Sequence, residues 1–464
     1  MSNSKKLTAV ILAAGEGKRM KSNIPKVLHK LCGKTMLDWV AESVRHISSP
    51  VVRPVVVVGH MADAVTAALP HDSSYVIQDR LLGTGDAVKR AADYISDYDC
   101  TLVIGGDTPL VQADSLKAAY SFHREHKNDI TVITASVDNP FGYGRILRNE
   151  GDLLKIVEER EASPEIRKIT EVNSGIYFFN TQTLLESLGE INDKNNQSEY
   201  YLTDTVEICL SKGKKIGAFM LGDSSQIAGV NDRLQLCEAS FVMRRRINLR
   251  LMAEGLTLID PENTYIDADV RFGLDCTVYP GTVIEGVCRF GDNCIIGGSK
   301  ITDSSFGSGT QVLNSVVIKS KVGDNCEVGP FAYLRPNSKI GCNVKIGDFV
   351  EIKNSSVGDF TKISHLSYVG DADIGSKVNM GCGSIVVNYD GTSKHRSIVE
   401  DEVFVGCNVN LISPVKVNRK SFIAAGSTIT DDVPSHSLAI ARSRQVNKLD
   451  WKAGNKSGNL FKKS

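Results

Sequence analysis

Two runs in the last third of the sequence place a branched or apolar residue at every sixth position. The first run contains Val322, Val328, Leu334, Ile340, Ile346 and Ile352, and the second contains Val399, Val405, Leu411, Val417, Ile423 and Ile429. An α-helix repeats near 3.6 residues and a strand repeats at 2, so neither element alone produces a period of six. A sustained six-residue step predicts a chain that turns three times per coil, which is a parallel β-helix. Weaker members of the repeat upstream and slips in frame near 303–315 and 352–357 place the predicted coil at about 260–435.

The first half follows a different pattern, in which short apolar runs alternate with helical periodicity. These segments are 7–14, 36–47, 54–59, 62–69, 87–95, 101–106, 115–126 and 130–137. Alternation of this kind predicts an α/β domain with a mostly parallel sheet, whose ligands bind at the carboxyl ends of the strands. A helix capped by Asn231 or Asp232 and ending before Gly255 is expected to connect the halves. The predicted domains are therefore 1–232, a helical linker at 233–253, and the coil with a loosely ordered basic tail at 254–464.

Composition narrows the classes of partner. The 464 residues contain 54 Lys and Arg against 54 Asp and Glu, so net charge gives no support to non-specific binding of nucleic acid or membranes. The Arg244-Arg245-Arg246 run is interpreted as a solvated linker face, because no aromatic residues are interleaved with it. No apolar run reaches about 18 residues, and the eleven cysteines show no CxxC spacing. We expect a cytoplasmic protein with reduced thiols, no membrane insertion, and small-molecule partners.

A glycine-containing loop follows the first predicted strand. It reads Leu12-Ala13-Ala14-Gly15-Glu16-Gly17-Lys18-Arg19-Met20 and is followed by Pro25-Lys26. The loop is neither a P-loop nor a dinucleotide fingerprint, since Met20 stands where the third glycine belongs. Backbone N–H groups in such a turn can bind an anion, and Arg19 and Lys26 add two cations. The loop predicts a phosphate site, with a purely structural turn as the alternative.

Further motifs extend this pattern across the chain. They are Gln78, Leu82-Gly83-Thr84-Gly85, Gly105-Gly106-Asp107, Gly142-Tyr143-Gly144-Arg145, Glu158-Glu159, Glu171-Val172-Asn173, the run 199–204, and Gly229-Val230-Asn231. Together with the loop, they resemble the uridylyl branch of the sugar-phosphate nucleotidyltransferases. With the coil attached, the whole chain resembles the bifunctional bacterial enzymes that combine N-acetylglucosamine-1-phosphate uridylyltransferase with glucosamine-1-phosphate N-acetyltransferase. The resemblance implies a Rossmann-like α/β domain and a left-handed parallel β-helix joined by a long helix, in a homotrimer.

The resemblance also implies roles for residues of the first domain. Nucleotide and sugar would contact Leu12, Ala13, Ala14, Gly15, Lys26, Gln78, Gly83, Thr84, Gly105, Gly106, Asp107, Gly144, Glu158, Asn173 and Asn231. Asp107 and Asn231 would bind Mg²⁺, for which oxygen ligands are suited, and Arg19 and Lys26 would act in catalysis. Without the resemblance, Asp107 reads as a turn residue before Thr108-Pro109, and Glu158 reads as half of a surface pair with Lys155.

On the coil, Arg335 and Lys353 are 18 residues apart, which is three repeats, so they are predicted to stack on one face and bind a phosphate. Spacing puts His365 near that face, although an isolated histidine is usually a packed or surface residue. The run His365-Leu366-Ser367-Tyr368-Val369-Gly370-Asp371 resembles the acetyltransferase half of the family. By that resemblance His365 is the general base, Tyr368 and Asn379 bind the amino sugar, and acetyl-CoA contacts Cys382, Asn388, Tyr389, Cys407, Ala425 and Arg442. Because the family commonly has Ala and Ser in place of Cys382 and Cys407, both thiols are interpreted as small packed residues.

The implied function is synthesis of UDP-N-acetylglucosamine, a precursor of peptidoglycan and lipopolysaccharide. Acetyl-CoA would acetylate glucosamine 1-phosphate, and UTP would then react with N-acetylglucosamine 1-phosphate to release pyrophosphate. Two alternatives remain at this stage. One is a nucleotidyltransferase of single activity whose coil is structural or regulatory, and the other is a non-catalytic scaffold.

Overall fold

The computed structural model describes residues 5–48, 51–69, 73–149, 151–195 and 197–449. The chain divides into two compact units, Met1–Ile247 and Asn248–Ser464. Most of the predicted basic tail, from residue 450 onward, lies outside the described residues. Within the described residues, no helix combines the length and the apolar character needed to cross a membrane.

The first unit contains a nine-stranded sheet and a two-stranded hairpin. Its strands are β1 (Lys5–Ala13), β2 (Lys30–Leu31), β3 (Lys34–Thr35), β4 (Pro54–Val58), β5 (Ser74–Ile77), β6 (Tyr98–Gly105), β7 (Ile130–Ser136), β8 (Arg145–Asn149), β9 (Asp152–Val157), β10 (Glu171–Asn180) and β11 (Ile216–Leu221). The main path runs β11-β7-β10-β6-β1-β4-β5, with β8 and β9 attached through β10. Pairs along this path are parallel except where β10 meets β6 and β7. The predicted mostly parallel sheet is confirmed.

Helices cover both faces of this sheet. They are α1 (Met36–Arg45), α2 (Ala62–Ala67), α3 (Thr84–Arg90), α4 (Ala92–Ile95), α5 (Ala113–Glu125), α6 (Thr181–Leu188) and α7 (Asp204–Ser211), with 3₁₀ turns at Lys18–Met20, Lys26–Leu28, Ile166–Lys168 and Ser224–Ile227. Successive strand residues point to opposite faces, so Ile11 joins one apolar cluster while Val10 joins the other. The continuous apolar run of β4 is buried throughout, as expected for a strand covered on both faces.

A long helix, α8 (Arg233–Ala253), follows this sheet, and the division between the two units falls within it. Its first turn is capped by Asp232, whose Oδ1 accepts a hydrogen bond from the backbone N–H of Gln235 at 2.9 Å. Gly255 follows with φ of 106°, a conformation that side chains disfavour, and it ends the helix. The predicted capping residues therefore act at both ends.

The second unit consists of short parallel strands. They are β12 (Thr257–Leu258), β13 (Tyr265–Ile266), β14 (Thr277–Val278), β15 (Val283–Glu285), β16 (Arg289–Phe290), β17 (Ile295–Gly297), β18 (Lys300–Thr302), β19 (Ser305–Phe306), β20 (Gln311–Leu313), β21 (Val316–Ile318), β22 (Lys321–Val322), β23 (Glu327–Val328), β24 (Tyr333–Leu334), β25 (Lys339–Ile340), β26 (Lys345–Asp348), β27 (Glu351–Lys353), β28 (Ser356–Val357), β29 (Lys362–His365), β30 (Tyr368–Gly370), β31 (Ala372–Ile374), β32 (Asn379–Met380), β33 (Ile385–Val387), β34 (Ser397–Val399), β35 (Phe404–Val405), β36 (Asn410–Ile412), β37 (Lys416–Val417), β38 (Phe422–Ile423), β39 (Thr428–Ile429) and β40 (Leu438–Ala439). They form three parallel sheets of eleven, ten and eight strands, the first containing β26, β29 and β32, the second β24, β27 and β30, and the third β25, β28 and β31. This is the predicted β-helix.

Coil length explains both the period of six and its slips. Val328 pairs with Ile346 one coil later, a step of three sixes, whereas Val312 pairs with Val328 after only 16 residues. The shorter coils lie where the sequence repeat loses its frame. Some interior positions of the coil carry hydroxyl side chains. The Oγ of Ser299, for example, accepts a hydrogen bond from the backbone N–H of Ser315 on the next coil at 3.1 Å. Such bonds join neighbouring coils without leaving a buried polar group unpaired.

Candidate functional sites

A cavity of about 460 Å³ opens at the carboxyl ends of β1 and β6. Its lining is Leu12, Ala13, Ala14, Gly15, Lys26, Val27, Gln78, Leu81, Gly83, Thr84, Ala87, Gly105, Asp107, Thr108, Ser174, Gly175 and Glu199. Ten of the predicted nucleotide-site residues are in this set. Gly106 lies behind them, where its N–H donates to the carbonyl of Leu12 at 2.8 Å and closes the junction of the two strands. Sequence reasoning missed Leu81, Ser174 and Gly175, which are brought in by chain topology, and it had named Glu199 only as part of the run 199–204.

Lys26 lies between the two predicted metal ligands. Its Nζ donates to Oδ2 of Asp107 at 2.5 Å and to Oδ1 of Asn231 at 3.0 Å. Asp107 and Asn231 come from distant parts of the chain but are linked by the loop backbone, since the N–H of Val230 donates to the carbonyl of Asp107 at 2.9 Å. Two oxygens from residues far apart in sequence therefore converge on one cation.

Gln78 is buried at the end of β5 with its amide oriented by two acceptors. Its Nε2 donates to the carbonyl of Gly83 at 3.1 Å and to Oδ2 of Asp86 at 2.8 Å. Gly83 has φ of 110°, and an added Cβ would meet the Tyr200 backbone oxygen at 2.5 Å, so this position requires glycine. With its N–H₂ group engaged, Gln78 presents its Oε1 as an acceptor.

The predicted sugar residues Gly144, Glu158 and Asn173 lie together on the strands around β8 and β10. The N–H of Asn173 donates to the carbonyl of Gly144 at 2.8 Å, and Glu158 Oε1 accepts from Thr203 Oγ1 at 3.2 Å. Burial raises the pKa of the Glu158 carboxyl. The surface pair of Glu158 with Lys155 is wrong, because Lys155 instead contacts Glu207 at 3.0 Å. Glu158 follows the end of β9, where the chain turns toward the Thr203 loop.

Arg19 is placed differently from Lys26. It is exposed in the 3₁₀ turn that follows the glycine loop, and it is not part of the cavity lining. Lys18, beside it, pairs with Glu16 at 2.9 Å. The structure therefore brings one of the two predicted cations into the lining of the site and not the other.

On the coil, Arg335 and Lys353 follow paired positions of the second sheet. Tyr333 pairs with Glu351 and Leu334 with Ile352, and the N–H of Arg335 continues the register by donating to Ile352. The predicted stacking on one face is confirmed. Arg335 contacts Glu351 at 2.8 Å and Lys353 contacts Asp371 at 3.3 Å.

Lys394 adds a third cation that sequence reasoning missed. Its contact with Lys353 lowers the pKa of Lys394. The same contact raises the pKa of Lys353, and the ion pair with Asp371 acts in the same direction. Arg335 also acts on Lys394 through its charge. Lys394 belongs to a loop at 388–396 that interrupts the repeat, so no periodic signal marked it.

His365 ends β29 and has a carboxylate neighbour one coil earlier. Its Nδ1 lies 2.6 Å from Oδ1 of Asp348, and the two residues are register partners 17 positions apart. Hydrogen bonding to His365 lowers the pKa of Asp348. Both side chains are accessible, at 58% and 37% of their surface. If Nδ1 carries the hydrogen donated to this carboxylate, Nε2 is the ring nitrogen left to accept a proton. Sequence reasoning missed Asp348, although a step of one coil from His365 marks it.

The same corner continues along the coil. His365 is two residues after Ile363, and each later coil repeats this relation, because Ile363 pairs with Met380, Met380 with Val405, and Val405 with Ile423. The corner column is therefore Asp348, His365, Cys382, Cys407 and Ala425. Four of its five members were named from sequence. Arg442 lies beside its end, with Cδ at 3.8 Å from the Cβ position of Gly426.

Cys382 and Cys407 differ from their predicted packing. Cys407 is exposed and Cys382 is partly exposed, so the interpretation of both as packed residues is wrong. Their position two residues after a strand end turns them outward at the corner. All eleven cysteines lie within the described residues and are free thiols there. No cluster of three or more His, Cys, Asp or Glu side chains suited to a metal is found in the part of the chain that the structure describes.

A polar network joins the predicted sugar and cofactor residues. Asn388 Nδ2 donates to Asp371 Oδ2 at 2.5 Å and to the Tyr368 hydroxyl at 3.4 Å, and Asp371 also accepts from Asn354 at 2.6 Å. Tyr389 is exposed beside this network in the interrupting loop. Asn379 is separate: it pairs with Lys362, three residues before His365 on the same strand.

Comparison with known proteins agrees with the folds of both halves of the chain. Residues 9–172 match the model of the MobA-like NTP transferase domain, and residues 319–354 match that of the bacterial transferase hexapeptide repeat. These matches and the two sites define a nucleotidyltransferase domain joined to a hexapeptide-repeat coil. The chain is 53% identical to the bifunctional protein GlmU of Acetivibrio thermocellus, over 96% of this chain and 97% of that protein. It is 52% identical to GlmU of Clostridioides difficile over 96% of each chain, and 51% identical to GlmU of Caldanaerobacter subterraneus over 96% and 97%.

The chain therefore belongs to the family of bifunctional GlmU proteins. It is a uridylyltransferase and acetyltransferase of UDP-N-acetylglucosamine synthesis, as the resemblance implied. The single-activity enzyme and the non-catalytic scaffold are not supported by this membership.

Proposed function

We propose that the two reactions occur at the two sites described above, acetyl transfer at the coil corner and uridylyl transfer at the first unit's cavity. The observation that carries this assignment is the Asp348–His365 contact at the foot of the corner column. This pair supplies the general base that acetyl transfer needs, whereas the cavity supplies the cations and backbone N–H donors that suit a nucleotide. Acetylation precedes uridylylation, because N-acetylglucosamine 1-phosphate is the product of the first reaction and the substrate of the second.

At the cavity, the phosphate of the sugar is already ionised and needs no protein base to attack the α-phosphate of UTP. The loop from Leu12 to Gly15 binds the triphosphate through backbone N–H groups, and Lys26 and Arg19 neutralise charge that develops on it. Gln78 Oε1 accepts the N3–H of uracil, which cytosine lacks, and Gly83 lets the base approach the backbone. Gly144, Glu158 and Asn173 bind the sugar hydroxyls and amide.

Mg²⁺ fits the oxygens of Asp107 and Asn231. One carboxylate and one amide carbonyl are hard ligands of the kind Mg²⁺ takes alongside water and substrate phosphates. The Lys26 ammonium lies within hydrogen-bonding distance of both oxygens and indicates that they converge on positive charge. When bound, Mg²⁺ neutralises and orients the phosphates of the nucleotide. Asp107 and Asn231 would hold the metal, and the Lys26 ammonium beside them would neutralise charge on the substrate phosphate.

At the coil, Arg335, Lys353 and Lys394 bind the phosphate of glucosamine 1-phosphate. Three cations on one patch are stabilised by a dianion, which also relieves the repulsion between the two lysines. Tyr368 and Asn379 bind the sugar. His365 Nε2 accepts a proton from the amino group, because only the free amine attacks the thioester. Asp348 orients the imidazole and stabilises the imidazolium that forms.

Acetyl-CoA lies along the corner column above His365. Cys382, Cys407 and Ala425 have small side chains that leave their backbone open to the pantetheine chain, with Asn388 and Tyr389 beside it. The Arg442 guanidinium binds a CoA phosphate at the far end. This direction puts the thioester next to His365 and the nucleotide end near Arg442, as the order of residues along the column requires.

The experiment compares His365→Asn with a matched variant, His436→Asn, at an exposed coil histidine. Thiol release from acetyl-CoA and pyrophosphate release from UTP are measured on the same preparation. We expect His365→Asn to lose acetyl transfer by about 10²- to 10⁴-fold, the usual contribution of a general base, with uridylyl transfer unchanged. Loss of both activities, or of neither, contradicts separate sites with His365 as base.

We also propose that the coil assembles into a homotrimer. Apolar side chains form an exposed row on its first sheet, where Phe404 pairs with Phe422 and Phe422 with Leu438. Their exposed fractions are 43%, 53% and 62%. Contiguous apolar surface of this kind favours a protein contact. Sedimentation equilibrium should give three chains per particle, and Phe422→Glu should shift the mass toward that of one chain if this row forms the contact.

A further inference from the structure

Cys382 and Cys407 lie side by side on successive coils. Asn379 pairs with Phe404 and Met380 with Val405, and the stacking persists beyond the strands, since the N–H of Asn408 donates to the carbonyl of Cys382 at 2.7 Å. Neighbouring strands are about 4.8 Å apart, and disulfides join Cα atoms separated by roughly 4.4–6.8 Å. The backbone at this corner therefore has the spacing that a disulfide requires.

A second cysteine pair provides a contrast within the same coil. Cys276 and Cys294 are also neighbours, because Thr277 pairs with Ile295. They are 0% and 1% exposed, and their Sγ atoms donate to backbone carbonyls at 3.0 and 3.2 Å. Cys407, by comparison, is exposed, and Cys382 is partly exposed. Access to a reagent in solution thus distinguishes two pairs of similar backbone geometry.

We propose that Cys382 and Cys407 form a redox-sensitive dithiol whose oxidation to a disulfide blocks the acetyl-CoA corner. The oxidant belongs to the class of small disulfides, such as the disulfide of CoA, whose thiol form acetyl transfer releases at this place. The Cys407 thiolate attacks one sulfur of that disulfide, which forms a mixed disulfide and releases one thiol. The Cys382 thiolate then displaces the second thiol. The protein loses two electrons and two protons, and one small disulfide is reduced to two thiols.

The consequence differs for the two reactions. A bond between the two side chains covers the backbone along which acetyl-CoA is proposed to lie, so acetyl transfer stops while uridylyl transfer on the other unit continues. Disulfide formation depends only on register and exposure, whereas its effect on acetyl transfer rests on the proposed function. Exposed disulfides are also the readily reduced ones, so a dithiol reagent should restore activity.

The test uses the full-length protein, fully reduced and then incubated with CoA disulfide. Remaining thiols are alkylated, and cysteine-containing peptides are identified by mass spectrometry alongside assays of both reactions. We expect a peptide pair joined through Cys382 and Cys407, loss of acetyl transfer to the level without enzyme, unchanged uridylyl transfer, and recovery with dithiothreitol. Each variant is compared with its own reduced form. Cys382→Ser/Cys407→Ser should resist the oxidant, and Cys276→Ser/Cys294→Ser should remain as sensitive as the natural chain.

Four results overturn the inference: full alkylation of Cys382 and Cys407 after oxidation, a disulfide that joins other cysteines, a Cys382–Cys407 disulfide that leaves acetyl transfer intact, or equal inactivation of Cys382→Ser/Cys407→Ser. Failure of the underlying function would look different. If His365→Asn retains acetyl transfer, the assignment of the base is wrong, while the peptide map still reports whether the dithiol oxidises.

Discussion

The two units build their sites in opposite ways. The first unit brings Lys26, Asp107 and Asn231, which are distant in sequence, into contact beside an open cavity, and the topology of its sheet decides which residues meet. The coil places its site on an outer corner, where residues one coil apart are neighbours, as Asp348 and His365 are. A period in the sequence therefore predicts neighbours on the coil, whereas in the first unit neighbours follow only from the complete fold.

The largest expected effect comes from removing the proposed metal ligand of the first unit, which should separate the activities of the two units. Asp107→Ala should lower uridylyl transfer on the order of 10³-fold, the magnitude found for loss of a strong electrostatic stabiliser, and leave acetyl transfer unchanged. Pyrophosphate and thiol release measure the two reactions. Asp63→Asn, on helix α2, serves as a carboxylate control and should change neither. A parallel fall in acetyl transfer would mean that the sites are not independent.

The phosphate-binding cations of the coil should act mainly on binding. Lys353→Gln should raise the KM for glucosamine 1-phosphate by about 10- to 100-fold, because a hydrogen bond to a charged group contributes about 1.5–3 kcal/mol. Lys345→Gln removes an exposed pair with Glu327 on another sheet and should have no effect. Steady-state kinetics check this, and a fall in kcat with unchanged KM would place Lys353 elsewhere in the mechanism.

Substitution of Asp348 should have a smaller effect, confined to the turnover of acetyl transfer. Asp348→Ala should lower kcat of acetyl transfer by about tenfold, one step on the scale of 1.4 kcal/mol per factor of ten, with little change in KM. Asp348→Asn should retain more activity, because its amide oxygen still accepts from His365 Nδ1. The ¹⁵N signals of the His365 ring should show a shifted tautomer population in Asp348→Ala alone. Wild-type kinetics in both variants would mean that the contact between Asp348 and His365 is an ordinary surface pair with no role in acetyl transfer.

The units should also differ in their response to acid. Burial lowers the pKa of His123 from 6.5 to about 4, and its Nδ1 lies 2.9 Å from Thr131 Oγ1. The folded state favours the neutral imidazole of His123. The resulting contribution to the stability of the fold is complete above pH 6.5 and is lost as the pH falls toward 4. The full loss is on the order of 3 kcal/mol. Hydrogen exchange of α5 and β7 should accelerate over this range in the natural chain and less in His123→Gln.

Much of the fold could be predicted from the sequence because each element carries its own period. The repeat of six predicted the coil, and its slips marked coils of 16 and 17 residues, since one or two residues fewer than 18 shift every later apolar position. The antiparallel placement of β10 was not predicted. A strand's direction in a sheet depends on connections made elsewhere in the chain, which local periodicity does not record.

The site residues were named mainly through the resemblance of their motifs to a family, whereas the period predicted only the stacking of Arg335 with Lys353 and the rough position of His365. Four members of the corner column were named through the resemblance, but Asp348 was missed because it lies outside the quoted motifs and is marked only by the one-coil step to His365. Lys394 was missed because its loop lies outside the period. Lys155 was paired wrongly with Glu158 because closeness in sequence says little about direction after a strand ends.

The most direct test of two independent sites combines His365→Asn and Asp107→Ala in one reaction. Glucosamine 1-phosphate, acetyl-CoA and UTP are supplied, and UDP-N-acetylglucosamine is measured. Each variant alone should make almost none, and the mixture should restore synthesis, because the acetylated sugar phosphate made by Asp107→Ala can reach the cavity of His365→Asn. A mixture that remains as inactive as its components, although each variant retains its own half-reaction in isolation, would contradict the account.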